Sequence, residues 1–305
     1  MSDKSIKPLL VSIVGPTAVG KTALAVQLAQ LFNTEIVSAD SRQFFQEMHI
    51  GTAKPSEEEL TLVKHHFIDS HSINENYNAG EFGRDATEVI GQLHQDHPVV
   101  IVVGGSTLYL KALWEGFDDM PDVDESIRKE LNAIFETQGI EPLLKELKAT
   151  DPVYFNEVDQ QNHQRIIRGL EIIRASGQPF SSFRKSAKSD MPYENLKIGL
   201  NLDRELLFER INARMDLMIQ EGLFEEAERL IDFQEHNALQ TVGYSEIFGY
   251  LNGDYDQEEA IRLLKRNSRR YAKRQMTWFR RYEDIHWFNP NQTKEIISLI
   301  ESRLP

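Results

Sequence analysis

The apolar positions of this chain fall into short runs separated by helical patterns. Leu9 to Val14 is an apolar run closed by Gly15 and Pro16, which predicts a buried strand. Thr22 to Phe32 is rich in Ala and Leu and predicts a helix, and Glu35 to Ala39 predicts a second strand ended by Asp40. Gly80 to His94 has helical spacing. Pro98 to Val103 is β-branched and predicts a third strand, ended by Gly104 and Gly105. Strands alternating with helices imply a parallel sheet with helices on both faces. Ligands of such sheets sit at the carboxyl ends of the strands. Three elements fall there: the 15–22 loop, Asp40 with the residues after it, and the Gly104–Ser106 turn.

The pattern changes after Trp114. Residues 126–148 and 163–176 read as helical with no buried strand between them, and 197–202 reads as a strand again. The predicted fold class is α/β. A P-loop core over 1–119 and 196–305, its parallel sheet flanked by helices, is interrupted by a helical insertion over 120–195. From 203 to about Ser302 the chain reads as nearly all helix.

Composition narrows the classes. With 305 residues, 40% of them hydrophobic, the chain can bury a sizeable core. It has no cysteine, which excludes disulfides, iron–sulfur clusters and cysteine zinc sites and fits a cytoplasmic protein. The first fifteen residues do not read as a signal peptide, and no apolar run reaches the ~18–20 residues of a membrane span. A net charge of −14 argues against nucleic acid taken alone, yet the charge is segregated. Residues 262–281 are dense in Arg and Lys with no acid, and 163–188 form a second basic stretch with one Glu.

Gly15-Pro16-Thr17-Ala18-Val19-Gly20-Lys21-Thr22 matches G-x-x-x-x-G-K-[ST], with a strand before it and a helix after it. Backbone N–H groups and the helix N-terminus favour one anion, Lys21 adds a full charge, and the Thr22 hydroxyl can hold Mg²⁺. The acid that P-loop hydrolases carry after a second strand is missing, because 98–103 ends in Gly-Gly-Ser. Asp40, ending the neighbouring strand, is the candidate: a metal ligand, a general base, or a helix N-cap. Gln164, Arg165 and Arg168 share adjoining faces of a helix whose opposite stripe holds Ile166, Ile167, Leu170 and Ile173. They form either a binding face or a solvated one. In 257–281, Tyr271, Trp278 and Phe279 read as core and the Arg and Lys as a binding face. His65 and His66 lack metal-ligand spacing and read as packing or hydrogen-bonding groups near the site.

In order, GPTAVGKT, SADSRQFFQEMHIGTAKP (38–55), HHFID (65–69), VVGGSTLYLKAL (102–113), QRIIRGLEI (164–172), RINARMDLMIQEGLFEE (210–226), TVGYSE (241–246) and KRQMTWFR (273–280) resemble the bacterial tRNA dimethylallyltransferases, the IPP transferase family. The resemblance runs from about residue 10 to 288. It implies transfer of a dimethylallyl group from dimethylallyl diphosphate to the exocyclic N6 amine of the adenosine 3′ of the anticodon, tRNA position 37. It also implies a Mg²⁺ requirement and a P-loop core with a helical insertion; a monomer is expected. Carried onto this chain, loop residues 15–22 would hold the diphosphate, with Thr17, Lys21 and Arg214 in the catalytic group and Asp40 as general base. The tRNA anticodon stem-loop would meet Asp40, Ser41, Arg42, Gln43, Ser106, Arg128, Gln164, Arg165, Ile166, Ile167, Arg168, Thr241, Gly243 and Tyr244. Ser106 stands where the family often has Thr, and Arg128 matches more weakly. A P-loop kinase of a nucleotide or small molecule is the rival reading, and an RNA-binding regulator that senses nucleotide is the non-enzyme one.

Overall fold

A computed structural model describes residues 7–116, 120–184 and 191–304; the readings made at 1–6 and 185–188 lie outside these. The chain forms two compact units, one of 7–116 with 191–304 and one of 120–184. The first unit opens with β1 (Leu9–Val14), α1 (Lys21–Leu31), β2 (Ile36–Ser38), α2 (Glu57–Leu62), β3 (His65–His66), α3 (Ala79–Leu93), β4 (Val99–Gly104) and α4 (Thr107–Glu115). The second holds α5 (Glu125–Gln138), α6 (Glu141–Thr150), α7 (Pro152–Glu157), α8 (His163–Ser176) and α9 (Phe180–Phe183). The first resumes with β5 (Glu194–Leu200), α10 (Arg204–Gln220), α11 (Leu223–Arg229), α12 (Ser245–Leu251), α13 (Gln257–Phe279), β6 (Ile285–Phe288) and α14 (Thr293–Glu301).

The six strands among the described residues form one parallel sheet in the order β3-β2-β4-β1-β5-β6. Side chains alternate between its two faces. Leu9, Val11 and Ile13, with Ile101, Val103, Ile198 and Leu200, pack against α1, α10 and α14. Leu10, Val14, Val100 and Val102 pack against α3, α4 and the end of α13. Each such buried Val, Leu or Ile contributes roughly 1.5–3 kcal/mol, so strands covered on both faces need no polar alternation. Ser12 is buried within β1 and satisfied there: its hydroxyl donates to Asn195 Oδ1 at 2.9 Å and accepts from Trp114 Nε1 at 3.0 Å.

Several boundaries differ from the sequence expectation. The stretch 126–148 is two helices, because Gly139 (φ 76) ends α5 before Glu141 starts α6. Residues 191–195 lie with the core: Tyr193 is buried under the sheet and β5 begins at Glu194. The helical C-terminal part also contributes β6, which pairs with β5. The edge strand β3 is two residues long, too short for any pattern to announce.

The second unit packs α5 to α9 around Leu131, Leu143, Leu147, Ile166, Ile167 and Leu170. Asp124, Asp151 and Asn162 cap its helices with side-chain oxygens.

Candidate active site

The three central elements meet at the carboxyl ends of adjacent strands. The 15–22 loop follows β1, Gly104–Ser106 follow β4, and Asp40 follows β2. Because β4 lies between β1 and β2, a side chain at its tip would separate Asp40 from the loop. The Gly-Gly pair removes that barrier: a methyl group at Gly104 would collide with the Ala39 carbonyl, and one at Gly105 with the Gln275 side chain. Ser106 Oγ then accepts the Ser41 N–H at 2.8 Å and donates to Ser41 Oγ at 3.1 Å, tying the β4 turn to the residue after Asp40.

Asp40 Oδ1 accepts the Arg42 N–H at 3.0 Å in an Asx-type turn. No helix follows, since 41–44 are turn, so the N-cap reading gives way to this local bond. Burial pushes the Asp40 carboxyl above the usual carboxylate range, opposed by its bond to Arg42 and by the charge of Lys21. Lys21 Nζ donates to Pro16 O at 2.8 Å. Burial, and then the neighbouring Arg214 charge, bring Lys21 down to about 7 against the pull of Asp40. Arg214, from α10, donates to the Thr17 hydroxyl, and burial lowers its pKa as well. A pocket of about 430 Å³ opens beside the loop, lined by Lys21, Thr22, Glu59, Arg210 and Arg214 among others. The arrangement concentrates cations around the loop and holds the Asp40 carboxylate beside them.

The profile of the IPP transferase family matches residues 43–282. The chain belongs to the IPP transferase family. It is 51% identical over 299 residues to the tRNA dimethylallyltransferase of Cytophaga hutchinsonii, covering 98% of each chain. It is 49% identical over 296 residues to that of Christiangramia forsetii, covering 97% of this chain and 98% of the other. A tRNA isopentenylpyrophosphate transferase from Bacillus halodurans superposes with a TM-score of 0.72 at 39% identity over 97% of both chains. A eukaryotic dimethylallyltransferase described as acting on tRNA superposes with a TM-score of 0.82 at 26% identity, over 98% of this chain and 80% of the other.

Within this IPP transferase the residues named from sequence take different places. Thr17, Lys21, Asp40 and Arg214 come together. Pro16 and Val19 are buried and anchor the loop, leaving its backbone to face a ligand. Gln43 spends its amide inside the protein, accepting from Ser38 Oγ at 3.2 Å and donating to the Thr52 and Ala53 carbonyls. Tyr244 has no exposed surface, and its hydroxyl donates to buried Glu226 at 2.6 Å, so the side chain braces the 241–246 turn. Glu226 also accepts the N–H groups of His49, Ile50 and Gly51, so one carboxylate holds two loops. Gly243 is buried with φ 112, while Thr241 is half-buried. His65 and His66 bond Val63 O and Glu35, at the end of β2 away from Asp40. Among the described residues no cluster of three metal-ligating side chains occurs. Among those residues no helix is long and apolar enough to cross a membrane.

In the second unit, Ile166 and Ile167 are core, so only Gln164, Arg165 and Arg168 of that segment present side chains to solvent. Arg168 and Arg128 both reach Glu171, each at 3.2 Å, and Glu171 is 1% exposed while the arginines are about half exposed. The weaker match, Arg128, thus shares an anchor with Arg168.

The sequence reading missed Gln275, Tyr271, Arg210 and Glu171. Tyr271, which the sequence pattern reads as core, is half-buried beside Asp40 and Arg42; burial raises its pKa and Ser106 lies within its reach. Gln275 did leave a signal. It is a polar residue in the buried stripe Leu264, Ser268, Ala272, Met276 and Phe279 of α13. The opposite side of α13 lines a groove with Arg270, Lys273, Arg274, Trp278 and Arg281.

Proposed function

We propose that this chain transfers a dimethylallyl group from dimethylallyl diphosphate to the exocyclic N6 amine of adenosine 37 in tRNA, releasing diphosphate. The observation that carries the reading is the placement of the Asp40 carboxylate beside a phosphate loop that belongs to an IPP transferase.

The acceptor amine is a weak nucleophile, so the carbon must become electrophilic. The allylic C–O bond breaks, its electron pair leaves with diphosphate, and a C–N bond forms as N6 gives its proton to Asp40. The barrier is the charge left on diphosphate. Loop N–H groups, Lys21 and Arg214 stabilise that charge, in a partly dry site where each contact is stronger than in water. A carboxyl whose pKa is raised by burial is a better base near neutral pH than an ordinary one, and general bases contribute about 10²–10⁴-fold. Thr22, which lines the pocket beside the loop, is the residue that would hold Mg²⁺: its hydroxyl oxygen suits a hard cation, and the ion when bound would neutralise diphosphate charge. The adenine must leave its stack at a cost of a few kcal/mol, offset by Arg and Lys contacts to tRNA phosphates.

Incubating the protein with labelled dimethylallyl diphosphate, Mg²⁺ and bulk unmodified tRNA, then digesting to nucleosides, tests this directly. The label is expected on N6 of one adenosine 3′ of the anticodon. Transfer of γ-phosphate from ATP without tRNA, and no labelled nucleoside, would turn the reading to a kinase.

A further inference from the structure

Gln275 occupies an unusual place for a buried polar side chain. It is 3% exposed on the core-facing stripe of α13, far in sequence from every loop it touches. Its Oε1 accepts the Thr17 N–H at 2.9 Å, and its Nε2 donates to the Gly105 carbonyl at 2.9 Å. The two bonds fix which end of the amide faces which partner. Thr17 is thereby held at both ends, its N–H by Gln275 and its hydroxyl by Arg214. The next residue, Ala18, sits at φ 63, a left-handed conformation that costs roughly 1–2 kcal/mol for a non-glycine residue. A loop under such strain keeps its shape only where its surroundings over-determine it.

The Gly105 contact extends the chain of bonds. Gly105 is followed by Ser106, whose hydroxyl holds the Ser41 N–H next to Asp40. An unbroken path therefore runs from the Thr17 N–H through the Gln275 amide to Gly105, Ser106, Ser41 and Asp40. One end carries the groups assigned to the leaving diphosphate and the other carries the base. Glycine at 105 is what admits the amide, since a side chain there would occupy the position of Nε2.

We infer that Gln275 is a positioning residue, one that sets the separation between the diphosphate loop and the Asp40 base. This deepens the transferase reading and rests on it. A misplacement of about 1 Å between reacting groups can cost on the order of 10²-fold in rate. A glutamine carbonyl and amide in one rigid plane define that separation more closely than apolar packing can.

The test uses the full-length chain, labelled dimethylallyl diphosphate and unmodified tRNA, with wild type, Gln275→Met and Gln275→Glu. Gln275→Met keeps the volume and removes both bonds. Per folded molecule, kcat is expected to fall about 10–100-fold, with tRNA Kd within about twofold of wild type. Gln275→Glu keeps an acceptor for the Thr17 N–H but sets a carboxylate against the Gly105 carbonyl. Its deficit relative to wild type is expected to shrink as pH falls, because the introduced carboxylic acid, once protonated, donates to Gly105 O as the amide did. A core role would lower Tm and leave kcat per folded molecule and the pH ratio unchanged. The inference is overturned if folded Gln275→Met turns over within twofold of wild type, if the Gln275→Glu ratio is flat in pH, or if neither variant folds. No transfer by wild type would instead sink the transferase reading itself.

Discussion

Arginine clusters in several regions of this chain, and burial makes two of them different instruments. In the core unit, Lys21, Arg42 and Arg214 stand beside Asp40, and loss of water lowers the pKa of each cation and raises that of the acid. In the helical unit, Arg128 and Arg168 keep about half of their side-chain surface in solvent and lean on a single buried carboxylate, Glu171. Charges kept from water act strongly at short range and suit bond breaking. Charges left in water are screened within ~8–10 Å, and suit reading a phosphate backbone. The contrast teaches that arginine density alone does not distinguish catalysis from recognition; the fate of the hydration shell does.

The largest blow to the first half of that contrast is Asp40→Ala. kcat is expected to fall about 10²–10⁴-fold while tRNA affinity changes little. Single-turnover transfer and a filter-binding Kd check it, and near-normal turnover would remove Asp40 as the base. Lys21→Ala comes next, raising KM for dimethylallyl diphosphate and lowering kcat/KM by about 10²–10³-fold, the range for losing one preorganised donor. Lys21 also predicts a pH limb. With its pKa brought down to about 7, the free enzyme loses this charge as pH rises through neutrality, and with it affinity for an anion. kcat/KM for the diphosphate should therefore fall from pH 7 to 9. Lys21→Arg, which stays charged, should flatten that limb. A limb unchanged in Lys21→Arg would assign it to another group.

The second half breaks differently. Charge reversal at Arg165 and Arg168 should weaken tRNA binding roughly 10–100-fold at moderate salt and leave single-turnover transfer at saturating tRNA near wild type. Each lost phosphate contact should reduce the slope of log Kd against log salt by about one. An unchanged slope would show that this face is merely solvated.

How much of each region the sequence revealed follows the same division. The loop, Asp40 and the strands β1, β2, β4 and β5 were legible because local patterns specify them: an apolar run, glycines and a terminal acid; β3 and β6 were not. The basic face of α8 was legible because helical periodicity separates Arg165 and Arg168 from Ile166 and Ile167. What escaped was set by tertiary contact. Gln275 reaches Thr17 across 258 positions, and Glu226 reaches the 49–51 segment across more than 170. Tyr244 lies in a motif that looks like a contact segment, yet its side chain is core, because the partner of its hydroxyl is eighteen residues away on α11. Nothing local announces such partners.

The smallest predicted effect is the most discriminating for the exposed face. Glu171 is the one buried group in the Arg128–Glu171–Arg168 set, and Glu171→Gln removes its charge without leaving a buried ion unpaired. Ion pairs with exposed arginines contribute roughly 0–1 kcal/mol, so tRNA Kd should rise by no more than about fivefold. The salt slope should stay at its wild-type value, because both arginines remain charged and only their placement is loosened. That outcome would separate arranging the cations from supplying them. A fall in the slope as large as that of the arginine reversals would mean that a phosphate contact itself is lost. A wild-type Kd would mean that Arg128 and Arg168 meet tRNA without help from the carboxylate beneath them.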